Sequence, residues 1–217
     1  MELNAIEARV LGALMEKAKT TPEYYPLTLN SLISACNQKT SRDPVTDYDE
    51  EEVSGAIETL REKHLAMRVD MAGSRTAKFR ENASVTWELR KEEYALLTAL
   101  LLRGPQTPGQ LRQRTERIYP FAELPQVTDW LHRMENREDE PHTLVQSVGR
   151  TPGGKEIRYL HTLVPGLENF EAPVEKVERT NIPVPTGSSR LDNIEETLAN
   201  LQSKVAHLEK LIDDITS

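Results

Sequence analysis

Residues 3–22, "LNAIEARVLGALMEKAKTTP", align without a gap on residues 89–108, "LRKEEYALLTALLLRGPQTP", at an offset of 86. Leu3, Glu7, Leu11, Ala13, Leu14, Thr21 and Pro22 recur as Leu89, Glu93, Leu97, Ala99, Leu100, Thr107 and Pro108, and Val10 is matched by Leu96. Self-similarity at a fixed offset is the signature of a duplicated structural unit. The chain is therefore read as two copies of one fold.

Each copy continues in the same order. A Thr-Pro turn leads to a second helical stretch, "LTLNSLISACN" in the first copy and "TPGQLRQRTERIY" in the second. A third helix follows, with Val53, Ile57 and Leu60 on one face in the first copy and Val127, Leu131 and Met134 in the second. Acidic residues stand near both starts, where a helix dipole favours them. The period then changes to two. Leu65, Met67, Val69 and Met71 alternate up to the turn "AGSR", and Ala77 and Phe79 return; in the second copy "TLVQSVG" and "EIRYL" flank "RTPGGK". Three helices and a two-stranded hairpin make the winged-helix form of the helix-turn-helix. The expected class is mainly α with small β-hairpins (α+β), as tandem winged-helix domains over residues 1–86 and 87–164.

The remainder divides in two. Residues 165–190 are polar, broken by prolines and without period, and read as an extended linker. Over residues 191–216, Leu191, Ile194, Leu198, Leu201, Val205, Leu208, Ile212 and Ile215 form a strict heptad seam, a C-terminal coiled-coil helix. An isolated helix of this length frays in water, so the stripe needs a partner. Parallel pairing sets Arg190 opposite Glu195 and Lys204 opposite Glu209, which points to a homodimer; the mixture of Leu, Ile and Val also allows a trimer, and docking on the chain's own body is the alternative.

The segment "EARVLGALMEKAKTTPEYYPLTLNSLISACNQKTSRDPV" closely resembles the opening of the YceH-like family of bacterial proteins, and "LLLRGPQTPGQLRQRTERIYPF", "ENRED" and "GGKEIRYLH" resemble its later segments. Together these cover most of residues 3–162. The resemblance implies tandem winged helices. The family has no established biochemical role, so it supplies no catalytic residues to transfer.

The lone cysteine excludes an internal disulfide, and no apolar run approaches the roughly 20 residues of a membrane span. A cytoplasmic protein without membrane contact is expected, in which the sequon at Asn82 has no meaning. His64, His132, His142, His161 and His207 show no metal-ligand spacing, and no Walker loop, "GxGxxG" or "GxSxG" occurs. The expectation is a non-enzyme with no cofactor and no metal. Cys36 follows Leu29, Leu32 and Ile33 at helical spacing, which places its sulfur in the core; a reactive thiol is the alternative.

A net charge of −8 opposes simple polyanion binding, but distribution matters more than the sum. In the first copy the third helix carries Asp49, Glu50, Glu51, Glu52, Glu58 and Glu62 against Arg61 and Lys63, and so repels a duplex. Lys39 and Arg42 lie in the turn before it, as helix-end compensation or as phosphate contacts. The second copy offers Arg112, Arg114 and Arg117 on its second helix and Arg150, Lys155 and Arg158 on its wing, as a phosphate footprint or as a solvated face balanced by Glu116, Glu123 and Glu156. The functional expectation is a binding protein associated with DNA or transcription through the second domain. The alternative is a protein-protein adaptor, with Tyr24, Tyr25, Tyr119, Phe121 and Trp130 available to line a groove.

Overall fold

Asn4 and Glu7 start the first helix by satisfying each other's backbone: Glu7 N–H donates to Asn4 Oδ1 and Asn4 N–H to Glu7 Oε2, both at 2.8 Å. The computed structural model describes residues 2–70, 76–139, 141, 143–150 and 157–167. Their elements run α1 (Ala5–Thr20), β1 (Leu27–Thr28), α2 (Leu29–Cys36), α3 (Glu50–Glu62), β2 (Ala66–Val69), β3 (Lys78–Glu81), α4 (Ala83–Thr86), α5 (Lys91–Arg103), α6 (Pro108–Thr115), α7 (Leu124–Glu135), β4 (Val145–Arg150) and β5 (Ile157–His161). The class is α+β, mainly helical with small antiparallel sheets. The order of three helices followed by a hairpin occurs twice.

The paired helices α1 and α5 begin 86 residues apart, at the offset of the repeat. Residues 7–15 of α1 and 93–102 of α5 are buried without a break, which a helix reaches only when it is packed on every side. Within its own half α1 meets α2, α3 and β3, and α5 meets α6, α7 and β5; their remaining faces meet each other. Gly12 permits this approach, because a Cβ there would stand 2.9 Å from Leu101 Cβ and 3.0 Å from Leu102 Cδ2. Tyr94 Oη donates to the Met15 carbonyl at 2.7 Å across the same seam. One cluster of buried side chains consequently contains residues of both halves.

The structure corrects the alignment at its end. Thr107 is the N-cap of α6, accepting from Gln110 N–H at 3.2 Å, with Pro108 at the first helical position. Thr21, its sequence match, instead precedes a 3-10 turn at Pro22–Tyr24. The N-cap of α2 is Thr28, which accepts from Ser31 N–H at 3.3 Å. The residue before each cap confirms the equivalence: Leu27 pairs with Phe79 of β3, and Gln106 bridges to Tyr159 of β5. Residues 21–26 thus hold an extra turn in the first half, and the shared "TP" does not mark equivalent places.

The first sheet is three-stranded in the order β1-β3-β2, all antiparallel, and the second pairs β4 with β5. The expected inward alternation of Leu65, Met67 and Val69 holds only at the root. Leu65 and Ala66 are buried, whereas Met67 is 40% exposed, because it pairs with Arg80 on the face of the hairpin opposite to buried Phe79, whose partner is Arg68. Phe79 provides the core contact of the return strand.

Met71 and the "AGSR" tip, Lys155, the linker from residue 168 onward and the heptad positions Leu191, Ile194, Leu198, Leu201, Val205, Leu208, Ile212 and Ile215 lie outside the described residues, as does the side chain of Arg150. Among the described residues, no helix is long and apolar enough to cross a membrane.

Candidate functional site

The turn after α2 is built by two buried arginines. Arg9 of α1 donates to the carbonyls of Cys36 (3.2 Å) and Pro44 (2.7 Å) and to Thr46 Oγ1 (3.1 Å). Arg42 donates to the Ala35 carbonyl from Nε (3.0 Å) and Nη2 (2.7 Å), and grips both carboxylate oxygens of Glu16 at 2.7 and 3.1 Å. Asn37 ties the far end, its amide bonded to the Tyr48 carbonyl at 2.8 Å and accepting from Tyr48 N–H at 2.9 Å. Arg42 and Arg9 thereby satisfy the Ala35 and Cys36 carbonyls at the α2 C-terminus. Arg42 is 5% exposed, so its role is internal and it presents no charge to a ligand.

Lys39 follows the other course. It is exposed, and it lines an open cleft of about 420 Å3 whose walls are the ends of α1, α5 and α6 and the turn at residues 38–41. Arg114 and Arg117 of the second half line the same cleft, joined by Lys17 and Arg103. Glu16 is the only carboxylate among the lining residues, and Arg42 already holds it. Among the described residues, Lys39, Arg103, Arg114 and Arg117 donate no side-chain hydrogen bond and enter no ion pair within 4 Å. Burial lowers the pKa of Arg103 and Arg114; Arg114 adds to the effect at Arg103 while Glu16 opposes it, and at Arg114 Asp43 opposes and Arg158 adds.

The structure therefore brings Lys39, Arg114 and Arg117 together from both halves. Arg112 is exposed but leans on the carbonyls of Phe121 (3.3 Å) and Ala122 (2.7 Å), and Arg158 donates to the Pro105 carbonyl at 3.2 Å. Lys17 and Arg103 escaped the sequence reading because a cation in the last turn of a helix is ordinary dipole compensation. The available signal was their equivalence: they occupy matching positions of the repeat, 86 residues apart.

On α3, Glu50, Glu51, Glu52, Glu58 and Glu62 are all exposed, an acidic face opposed to a duplex. The aromatic residues considered for a groove are dispersed in role. Phe121 is buried with Tyr119 edge-on at 4.8 Å, Tyr25 Oη accepts from Glu81 N–H, and Trp130 lies under Arg133 and Arg90. Tyr24 is 73% exposed. Cys36 is fully buried, and burial pushes its thiol up to about 12 against the pull of Arg42 and Arg9, so it is the protonated core residue that its helical spacing suggested. No group of three or more His, Cys, Asp or Glu residues able to hold a metal occurs among the described residues.

Residues 3–154 match a protein family described as "Protein of unknown function, DUF480". The chain is 43% identical over 220 residues to a UPF0502 protein of Pelobacter propionicus, covering 99% of this chain and 96% of that one. It is 37% identical over 218 residues to the UPF0502 protein YceH of Salmonella paratyphi C, again covering 99% and 96%. A UPF0502 protein of Opitutus terrae is 48% identical over 161 residues, 74% of this chain and 69% of the relative.

Proposed function

This chain belongs to the DUF480 family, and from that premise we propose a non-catalytic, dimeric binding protein whose two winged helices, over residues 1–86 and 87–164, associate with DNA. The observation that carries the reading is the convergence of Lys39, Arg114 and Arg117, without partners among the described residues, on one concave surface of an otherwise acidic chain. Such cations neutralise phosphates and release counterions without reading sequence. Arg158 lies close enough to Arg114 to lower its pKa, and the sequence adds Arg112, Arg150 and Lys155 as further cations of the second half. The acidic α3 keeps the first winged helix from entering a groove, so the second leads.

An adaptor role is the second reading, and the exposed glutamates of α3 favour it, since they suit a basic protein partner better than a duplex. Fluorescence anisotropy with a labelled duplex over a salt series separates the two. DNA association predicts that log K falls linearly with log salt, and that Arg114→Ala with Arg117→Ala lowers the slope by about 2. Binding absent at low salt, or indifferent to salt and to both substitutions, leaves the adaptor.

A further inference from the structure

We propose that the cleft between α1, α5, α6 and the turn at residues 38–41 is a binding site for a small oligophosphate anion. Lys17 and Arg103, equivalent through the repeat, both line it, so duplication has placed a cation from each half on one cavity. Lys39, Arg114 and Arg117 raise the cationic groups to five, against one lining carboxylate, Glu16, which Arg42 and Lys17 share, and the Asp43 carboxylate, which acts on Arg103 and Arg114. Like charges gathered on a concave, partly buried surface oppose folding, and an anionic occupant offsets that opposition. In a chain of net charge −8 this concentration is a local feature, not a reflection of composition.

The lining also defines what kind of anion fits. Its apolar members are Ala99, Leu102 and Ile118, with no aromatic ring on which a base would stack. The hydroxyls of Thr20, Thr21 and Thr98 already donate to the carbonyls of Glu16, Lys17 and Tyr94, which leaves Gln38, Thr40 and Ser41 as neutral donors. Guanidinium forks and ammonium groups without an aromatic platform suit linked phosphates with little else attached. The volume of about 420 Å3 lies in the range of small-molecule pockets, roughly 300–1,000 Å3. Because the donors come from both halves, the occupant bridges them and withdraws Arg114 and Arg117 from any DNA phosphate.

The test is isothermal titration calorimetry of the full chain with inorganic tripolyphosphate at about 0.15 M salt, where screening limits diffuse attraction to ~8 Å. Sulfate at matched ionic strength and a DNA duplex are run in parallel. The expected result is saturable binding of one tripolyphosphate per chain, weakened at least about tenfold by Arg103→Gln and by Lys39→Gln. Lys39 is exposed and its substitution leaves the packing intact, so that arm remains readable if Arg103→Gln unfolds. Heat no different from sulfate, or an affinity that Lys39→Gln leaves unchanged, overturns the site. Duplex binding without tripolyphosphate binding rejects this inference and leaves the DNA reading standing; the reverse result rejects the DNA reading alone.

Discussion

Glu7 and Glu93, 86 residues apart, perform the same task in the two halves. Each accepts the N-cap N–H of its helix at 2.8 Å, from Asn4 and from Arg90, and each faces a cation placed just after the third helix of its half. Lys63 Nζ lies 2.7 Å from Glu7, and Arg137 Nη1 lies 3.8 Å from Glu93. A carboxylate that caps its own helix and anchors the chain leaving another is one reason for its recurrence at a fixed offset.

Replacing either glutamate therefore removes a cap and takes the carboxylate from its cation, which keeps a backbone carbonyl, that of Glu2 for Lys63 and of Trp87 for Arg137. Glu7→Ala is expected to destabilise the protein by about 2–4 kcal/mol, below the upper range for buried pairs because Lys63 retains some contact with water. Urea unfolding measures it. A loss under about 0.5 kcal/mol, typical of a surface change, contradicts the assigned role.

Gly12 sets the distance between the central helices. Gly12→Ala puts a methyl group 2.9 Å from Leu101 Cβ, an atom next to the backbone that cannot rotate away, so α1 and α5 must separate. The expected loss is about 1–3 kcal/mol despite the better helix propensity of alanine. An increase in stability would mean that the helices have room to spare.

His161 links stability to pH. It is 3% exposed, and burial pushes its imidazole down to about 4 from an ordinary 6.5. Below pH 6.5 the unfolded chain takes up this proton and the folded chain does not, so stability is complete above about pH 6.5 and falls as pH drops toward 4. This one group accounts for a loss on the order of 3 kcal/mol across that window. In His161→Leu the same interval should be flatter by that amount, as urea titrations at successive pH values will show. Parallel pH profiles for the two proteins would refute the assignment.

The C-terminal heptads predict assembly. Sedimentation of the intact chain should return a dimer mass, and truncation after Arg190 should return a monomer. Monomeric masses for both, or a dimer that survives truncation, reject a seam between chains.

The repeat, the helical class, the order of three helices and a hairpin in each half and the burial of Cys36 are legible in the residues, because each follows from local periodicity and short-range chemistry. By contrast, β1 and α4 are too short to show a period. Glu7 and Glu93 are visible as a recurring identity. The pairing of α1 with α5 is half visible, since an α5 apolar over most of its circumference demands neighbours on every side without naming them. Three things depend on tertiary structure. The extra turn at residues 21–26 was hidden by a chance "TP", because cap identity depends on which threonine meets a free N–H. Arg42 and Lys39, three residues apart, part company because one guanidinium finds Glu16 and the Ala35 carbonyl while its neighbour faces solvent. The cleft itself joins Lys17, Lys39, Arg103, Arg114 and Arg117 across almost half the chain, and no local pattern encodes a cavity made where two helices cross.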